Sequence, residues 1–502
     1  MDELKQEAKK LIFEFKGNSY IYGLGCIDKI GDFAKNLGKK AVLVISDKSW
    51  AKNFKDKIMQ SLFKAGVEIL KTVGTARPNT PSEDVFLLQD LLVKEKPDFL
   101  IAAGGGSAID CAKAAAALAV ISPFTHDVEP LFGVGKVSEI LNSKNLKMLP
   151  VLAVQMSASS AAHLTKYSNI TYLETYQKKL IVDDEIVPPY ALFDYEVTAT
   201  ADRDLTIDGV LDGISHCLEV YYGANFNSED PASIEKFKKI EQVAINGISL
   251  LINSAKKCLD EPSNLFYREA IGLGTDLGGY SIMLGGTNGG HLTSFTLIKI
   301  LSHGRACGIL NPYWTVFFAP AIKRQLSVLI GVFKDYIDID KDYIDIEDAY
   351  TDIVGDYIDI DNEGLKDLKG LKSLKSLKGL KNLKGFKSLK SYEKPSSSST
   401  LKENSSDNFS SDSFSAALKM AKIVANGMIN FLKSLGVPTR LQDVEGFSDD
   451  LIFKTLESAK NPQLEMKLKN MPVSLNASIV DEYMLPILEA AKTGDLTLIK
   501  TL

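Results

Sequence analysis

This 502-residue chain has few cysteines, no long apolar runs and no large excess of charge of one sign. Its five cysteines are scattered without paired spacing, which argues against a disulfide scaffold and for a reducing compartment. No stretch reaches the roughly 18 uninterrupted apolar residues of a membrane span, and the first ten residues are charged. The net charge of −6 argues against nucleic acid as the main partner. We therefore expect a soluble cytoplasmic protein without nucleic-acid or membrane partners.

Histidine is also scarce, and its distribution is uneven. Of five histidines, His216, His291 and His303 fall within one region of about a hundred residues. Asp212 precedes His216 by four residues, a spacing that places both side chains on one face of a helix. One carboxylate and three imidazoles form a complete ligand set for a divalent metal, best zinc or iron(II). The alternative for each residue alone is a solvated helix aspartate or a satisfied core histidine.

The distance along the chain between His291 and His303 sets a condition on this metal site. Twelve residues of unbroken helix would separate the two rings by about 18 Å. Both rings can reach one ion only if the chain turns between them. We therefore predict that the helix from His291 ends before Ser302, and that a new element begins at His303 and Gly304.

The first 200 residues alternate between strand-like and helix-like patterns, which predicts a parallel sheet covered by helices. These patterns are strands at 41–46 and 66–73, a helix at 80–96, and a strand, glycine turn and helix over 98–119. Helical patterns dominate after about residue 204. We predict an α/β dinucleotide-binding domain over residues 1–200 and an all-α metal-binding domain over residues 201–502.

A low-complexity segment at about 334–412 interrupts the second domain. It begins with acidic DYIDID repeats, continues with a leucine-lysine pattern of period three, and ends in a serine-rich stretch. A period of three drifts around a helix and gives no stable apolar face. We predict a disordered surface insertion that is functionally idle. The alternative is an adhesive element for a partner or a membrane surface.

A glycine turn between a predicted strand and a predicted helix indicates a dinucleotide site. Gly105, Gly106 and Ser107 open the helix, whose free N–H groups and dipole favour a diphosphate. Asp47 ends an earlier strand, where a carboxylate can accept a hydrogen bond from a ribose 2′-hydroxyl and repel a 2′-phosphate. This predicts a preference for NAD over NADP. The alternative for Asp47 is a helix N-cap before Lys48.

These segments together resemble the iron-containing alcohol dehydrogenases, within a superfamily that includes glycerol dehydrogenase and dehydroquinate synthase. The segments that carry the resemblance are GGGSAIDCAK, KLIVDDEIVPPYALFDYEVT, DGVLDGISHCLEVYYG, GGHLTSF and LSHG. The resemblance covers residues 12–330 and 413–502, and the insertion between them has no counterpart in the family. The resemblance implies an N-terminal dinucleotide-binding domain, a C-terminal helical domain and an active site in the cleft between them.

By motif position, the resemblance also implies the residues of the site. It implies metal ligands at Asp212, His216, His291 and His303, and cofactor contacts at Asp47, Asn79, Thr80, Gly105, Gly106, Ser107 and Lys178. The segment MSASSAAH at 156–163 departs from the family, which has a glycine-rich stretch there. His163 replaces an acid, and is either an active-site polar group or a surface histidine. Phe295 stands four residues after His291, so that position offers no general base.

The resulting prediction is a metal-dependent NAD(P) alcohol dehydrogenase that uses Fe(II) or Zn(II) and is a homodimer. Hydride would pass between nicotinamide and a small alcohol or aldehyde, with a Lewis-acid metal at the substrate oxygen. Two alternatives are a polyol dehydrogenase of the glycerol type and a non-catalytic binding or scaffold relative. A phosphosugar cyclase fits less well, because residues 204–312 offer Arg268 and Arg305 but no dense cluster of lysine and arginine to hold a phosphate-bearing sugar acid.

Overall fold

The structure is a computed structural model that describes residues 1–125, 127–175, 177–227, 229–338 and 411–502. Most of the predicted insertion at 334–412 therefore lies outside the described residues. The two ends of the segment, residues 334–338 and 411–412, belong to the described residues. A 3₁₀ turn covers Lys334–Tyr336 and a helix starts at Ser411, so regular structure reaches further into the segment than its composition indicated.

Two sheets lie in the first 200 residues. The strands are β1 (Tyr20–Gly23), β2 (Lys40–Ile45), β3 (Glu68–Val73), β4 (Phe99–Gly104), β5 (Gly133–Val134), β6 (Val151–Gln155), β7 (Tyr167–Tyr172), β8 (Gln177–Val182) and β9 (Tyr190–Asp194). Six of them form a fully parallel sheet in the order β1-β9-β6-β4-β2-β3. The predicted parallel sheet and the strands at 41–46 and 66–73 are confirmed.

The smaller sheet was not predicted from the sequence. It has the order β5-β8-β7, with β7 and β8 antiparallel and β5 parallel to β8. The segment TYLETYQKKL that joins β7 to β8 lacks the Asn-Gly or Asp-Gly pair that marks a short hairpin. Its strand β8 carries Lys178, for which the sequence predicts a cofactor contact.

Helices cover both faces of the main sheet. They are α1 (Asp2–Lys16), α2 (Ile30–Leu37), α3 (Lys52–Lys64), α4 (Ser82–Glu95), α5 (Gly106–Ile121) and α6 (Lys136–Lys144). Alternate residues of β2 enter two different cores: Val42 and Val44 join the core of α4 and α5, whereas Leu43 and Ile45 join that of α2 and α3. A strand buried on both faces is typical of a parallel sheet, which explains the continuous apolar run.

Helices make up the second half of the described chain. They are α7 (Arg203–Tyr222), α8 (Pro231–Asp260), α9 (Leu265–Leu284), α10 (Gly289–Ser294), α11 (His303–Phe317), α12 (Lys323–Val332), α13 (Ser411–Ser434), α14 (Asp449–Ala459), α15 (Glu465–Lys469) and α16 (Val480–Thr493). Beyond Asp194 the described residues contain no strand, which confirms the helical prediction. None of the helices that can be described has both the length and the apolar character needed to cross a bilayer.

The N-terminal helix α1 packs on the helical half rather than on the sheet alone. Leu11 and Ile12 are fully buried in a core that also contains Leu250 of α8 and Leu273 of α9. Lys5 of α1 forms a half-buried ion pair of 2.6 Å with Glu269 of α9. The first helix therefore holds the two halves of the chain together.

We expect Leu11→Ala to lower the free energy of unfolding by about 2–5 kcal/mol, because it leaves a cavity between α1, α8 and α9. Phe13→Ala on the same helix is the matched control, since Phe13 is 59% exposed and should change stability little. Urea unfolding of the two variants and the parent protein measures the difference. Equal losses in both variants would show that α1 is not packed as described.

Candidate metal centre and cofactor cleft

Three helices bring the predicted metal ligands together. Asp212 and His216 lie one turn apart on α7, His291 lies on α10 and His303 is the first residue of α11. The chain leaves helical geometry after Ser294, and Ser302 is the N-cap of α11. The predicted break between the two late histidines is confirmed, and it allows both rings to face α7.

The ligand atoms converge on one oxygen. The Nε2 atoms of His216, His291 and His303 lie 3.7, 3.8 and 3.7 Å from Oδ1 of Asp212. Donor atoms held about 2.1 Å from a tetrahedral zinc ion are about 3.4 Å from one another, close to this spacing. The rings of His216 and His291 are stacked at 4.9 Å, and the His303 ring meets His291 edge-on at 5.0 Å. The four donors surround one small volume.

Two of these donor atoms are buried without a hydrogen-bond partner. They are Oδ1 of Asp212 and Nε2 of His291. Burial raises the pKa of Asp212 and lowers that of His291 well below its usual value. A neutral imidazole offers a lone pair, and a buried unpaired polar atom costs free energy unless something binds it. The chemistry of the set therefore suits a divalent cation.

Glu219 orients one of the three imidazoles and was missed in the sequence. Its Oε1 lies 2.7 Å from Nδ1 of His291, and its Oε2 accepts from the backbone N–H groups of Asn288 and His291. A proton held on Nδ1 leaves the lone pair on Nε2, which faces Asp212. Burial raises the pKa of Glu219 to about 7. Its position two helical turns after Asp212 is the signal that could have identified it.

Cys307 also lies beside the cluster, although its thiol is not placed like the other donors. A set of donor atoms within 4.8 Å of one another contains Asp212, His291, His303 and Cys307, and leaves out His216. The Cys307 sulfur lies 4.0 Å from Nδ1 of His303, the ring nitrogen that faces away from Asp212. Burial raises the pKa of this thiol well above its usual value. The three Nε2 atoms, each within 3.8 Å of Oδ1 of Asp212, are the nitrogens that the predicted ligand set requires.

A cavity of about 760 Å³ extends from the glycine turn to the four converging donors. It opens at the carboxyl ends of β2, β4 and β6, where ligands bind in parallel sheets. Of the predicted cofactor residues, those that line it are Asn79, Thr80, Gly105, Gly106, Ser107 and Lys178. Asp47 does not: it is exposed, and its neighbours Ser46 and Lys48 line the cavity instead.

The alternative role of Asp47 as a helix N-cap is wrong. The N-cap of the following 3₁₀ turn is Lys48, and no side chain caps that turn. Asp47 is exposed and lies between two residues that line the cavity.

The glycine turn is held in place by a second turn that contains Asn79 and Thr80. The Asn79 backbone N–H donates to Oγ of Ser107 at 3.1 Å, and the Thr80 hydroxyl donates to the Ser107 carbonyl at 3.2 Å. Both residues have positive φ, 64° and 51°, which is costly for a β-branched residue and is concentrated at functional sites. A Cβ on Gly105 or Gly106 would meet the hydroxyl of Ser157 or Ser160, so a larger residue there would require that serine to move.

Part of the chain matches a known protein family in sequence. Residues 17–195 match the family model described as iron-containing alcohol dehydrogenase. This part of the chain is similar to the iron-containing alcohol dehydrogenases. The matched segment includes the sheet and the glycine turn.

Curated members of the family are similar to part of the chain. NADPH-dependent butanol dehydrogenase of Clostridium saccharobutylicum is 32% identical over 44% of this chain and 55% of its own length. NAD-dependent methanol dehydrogenase of Bacillus methanolicus is 24% identical over 59% of this chain and 73% of its own length. The chain thus spans about half of the first relative and about three quarters of the second.

Solved structures of the family share the fold over nearly the whole chain. Alcohol dehydrogenase from Oenococcus oeni has a TM-score of 0.67 at 20% identity, covering 94% of this chain and 98% of that one. NADH-dependent butanol dehydrogenase A from Thermotoga maritima has a TM-score of 0.62 at 20% identity, covering 95% and 97%. At this identity the likeness establishes the shared α/β and helical architecture.

His163, in the 156–163 segment, is fully buried, so its interpretation as a surface histidine is wrong. It also does not line the cavity. Its Nε2 lies 2.9 Å from the Tyr20 hydroxyl and 3.3 Å from Oδ1 of Asp276, and burial lowers its pKa. Asp276 also accepts from the hydroxyls of Tyr20 and Tyr195. This network anchors the 156–163 loop to α9.

Two lysines and Phe295 line the cavity next to the predicted metal ligands. The ammonium groups of Lys178 and Lys467 lie 5.7 and 5.4 Å from the centre of the Phe295 ring. Burial lowers the pKa of Lys178, and it lowers that of Lys467 to about 8. Lys467 had no sequence signal, because it lies on the short helix α15, far along the chain from the other residues of the site.

We expect Asp276→Ala to cost about 3–5 kcal/mol of stability, because it leaves two tyrosine hydroxyls and an imidazole buried without an acceptor. Asp260→Ala is the control, since that side chain is exposed and pairs only with exposed Lys256. Thermal unfolding with calorimetry measures both variants. If Asp276→Ala changes stability no more than Asp260→Ala, the network does not anchor the loop.

Proposed function

We propose that this protein is a metal-dependent NAD(P) alcohol dehydrogenase. The observation that carries the proposal is the convergence of Asp212 and three imidazole Nε2 atoms at the inner end of a cavity that begins at a glycine turn. The similarity of residues 17–195 to the iron-containing alcohol dehydrogenases, and of a longer part of the chain to a butanol dehydrogenase, supports the same reaction class. The substrate is a small alcohol or aldehyde, and the polyol dehydrogenases of the superfamily differ in substrate rather than in this machinery.

We propose that Asp212, His216, His291 and His303 hold one Fe(II) or Zn(II) ion. Such an ion supplies Lewis-acid polarisation of an alcohol or carbonyl oxygen. The chain's own residues fix the geometry: Glu219 holds the His291 tautomer, and the break after Ser294 turns His303 towards α7. The Phe295 ring, stacked 6.4 Å from the His303 ring, keeps water from this side of the site.

The cofactor would occupy the rest of the cavity. Gly105, Gly106 and Ser107 open α5 and would hold the diphosphate on free N–H groups, as helix N-termini do. Ser157, Ser159 and Ser160 line the cavity between this turn and the metal ligands. They replace the glycine-rich stretch of the family and would contact the nicotinamide side. The nicotinamide ring accepts or donates the hydride.

Two further predictions from the sequence concern the division of the chain and its localisation and partners. We propose a division near residue 200 between the cofactor-binding and metal-binding halves, with α1 docked on the second half. A cytoplasmic homodimer without nucleic-acid or membrane partners remains our expectation from composition and base rate.

His216→Ala should abolish turnover and lower metal content, because it removes one of four ligands. Cofactor binding should persist, since His216 lies on α7 at the opposite end of the cavity from the glycine turn. Activity is followed by NADH absorbance, metal content by elemental analysis, and cofactor affinity by calorimetry. Full activity with a full complement of metal would rule out His216 as a ligand.

Asp47→Ser should shift the ratio of kcat/KM for NAD over that for NADP by roughly 10-fold towards NADP, because a carboxylate near a 2′-phosphate is repulsive. Lys48→Ser is the control on the same loop and should shift the ratio the other way, since Lys48 lines the cavity. Steady-state kinetics with each cofactor measures the ratio. Equal use of both cofactors by the parent protein would refute the preference.

A further inference from the structure

The cavity wall beside the proposed metal ligands contains two buried ammonium groups from distant parts of the chain. Lys178 comes from β8 and Lys467 from α15, and their ammonium groups lie within 6 Å of the Phe295 ring centre. Both lysines line the cavity, and Lys467 is only 5% exposed. The resemblance to the family gives Lys178 a cofactor contact, and Lys467 has no role in the reaction proposed above.

Lys467 has no carboxylate partner in the part of the chain that the structure describes. Its ammonium donates to Oγ1 of Thr287 at 2.5 Å, and no carboxylate oxygen of a described residue lies within ion-pair distance. The buried carboxylate of Glu219 acts on it from further away and raises its pKa, whereas burial and Lys178 lower it. A buried charge without a close partner costs free energy, so such a group is usually matched by something that binds.

The acids on this side of the cavity are engaged by other groups. Asp110 and Asp212 act on Lys178, and Asp212 is also a proposed metal ligand. Glu219 is hydrogen bonded to the His291 ring and to two backbone N–H groups. An anionic group of the substrate would therefore give the Lys467 ammonium the close partner that these acids do not.

We propose that the substrate is a short hydroxy acid or its oxo acid, whose carboxylate binds Lys467 and Thr287 while its hydroxyl or carbonyl end faces the four metal ligands. This inference rests on the proposed function. A single ammonium and a single hydroxyl suit a monoanion such as a carboxylate, whereas a phosphate dianion is usually held by more donors. The Phe295 ring would pack against the methylene groups between the two ends.

The reaction with such a substrate balances without a further reactant. In oxidation the C–H bond at the hydroxyl carbon breaks and its electron pair leaves with hydrogen as hydride to the oxidised nicotinamide. The O–H proton goes to solvent, the C=O bond forms, and the carboxylate is unchanged. The products are the oxo acid, the reduced cofactor and one proton.

Matched substrates test the proposal. The metal-loaded protein is assayed with NAD on butanol and on the hydroxybutanoate that carries its hydroxyl at the far end of the chain, and with the three- and five-carbon pairs. We expect kcat/KM to favour the hydroxy acid over the alcohol of equal length. Lys467→Met should lower kcat/KM for the hydroxy acid by roughly 100-fold and change that for the alcohol little, because only the acid meets the ammonium. Lys467→Arg should restore part of the preference.

Lys469→Met is the matched control, since Lys469 lies on the same short helix and is 68% exposed. Alcohol turnover by Lys467→Met shows that the variant is folded and loaded, so a loss confined to the acid supports the proposal. Equal losses on both substrates, or a parent protein that prefers the alcohol, would overturn it. If neither substrate turns over, the proposed function fails instead. Calorimetry of butanoate binding to the metal- and NAD-loaded protein then tests the anion site separately, with no binding refuting it.

Discussion

The site is organised around one buried carboxylate oxygen, Oδ1 of Asp212, which no protein donor reaches. Three imidazole nitrogens lie within 3.8 Å of it, and they belong to three different helices. A buried carboxylate without a close partner is unfavourable on its own, and a bound cation of the kind proposed would supply that partner. The break between α10 and α11 and the tautomer imposed by Glu219 both follow from directing these nitrogens to one point.

Packing and buried hydrogen bonds between the two halves of the chain form a second constraint, and they position the cleft between the halves. The helix α1 lies on α8 and α9, and the buried network of Tyr20, His163, Tyr195 and Asp276 ties the first half to α9. The glycine turn at the end of β4 and the ligands on α7 therefore face each other across a cavity of fixed width. Hydride transfer requires that fixed separation, because the nicotinamide and the substrate carbon must meet in one geometry.

The proposed anion site adds a substrate contact that the metal ligands and the glycine turn do not provide. Lys467 lies on α15 and Thr287 lies just before α10, both in the helical half. The wall around Phe295 is thus built by the β7-β8 hairpin on one side and by late helical segments on the other. Variation in these segments would change which substrate the cavity accepts while the metal ligands remain the same, since loops and short elements tolerate change better than the packed core.

Local patterns in the sequence determined the elements: apolar runs specified β2, β3 and β4, and the spacing of Asp212 and His216 specified one face of α7. His291 and His303 can bind one ion only if the chain turns between them. This condition was sufficient to predict that the helix from His291 ends before Ser302. The convergence of α7, α10 and α11, and with it the roles of Glu219, His163 and Lys467, was decided only by the tertiary structure. The physical reason is that burial and neighbours determine the charge and hydrogen bonding of a side chain, and these depend on contacts between residues far apart in the chain.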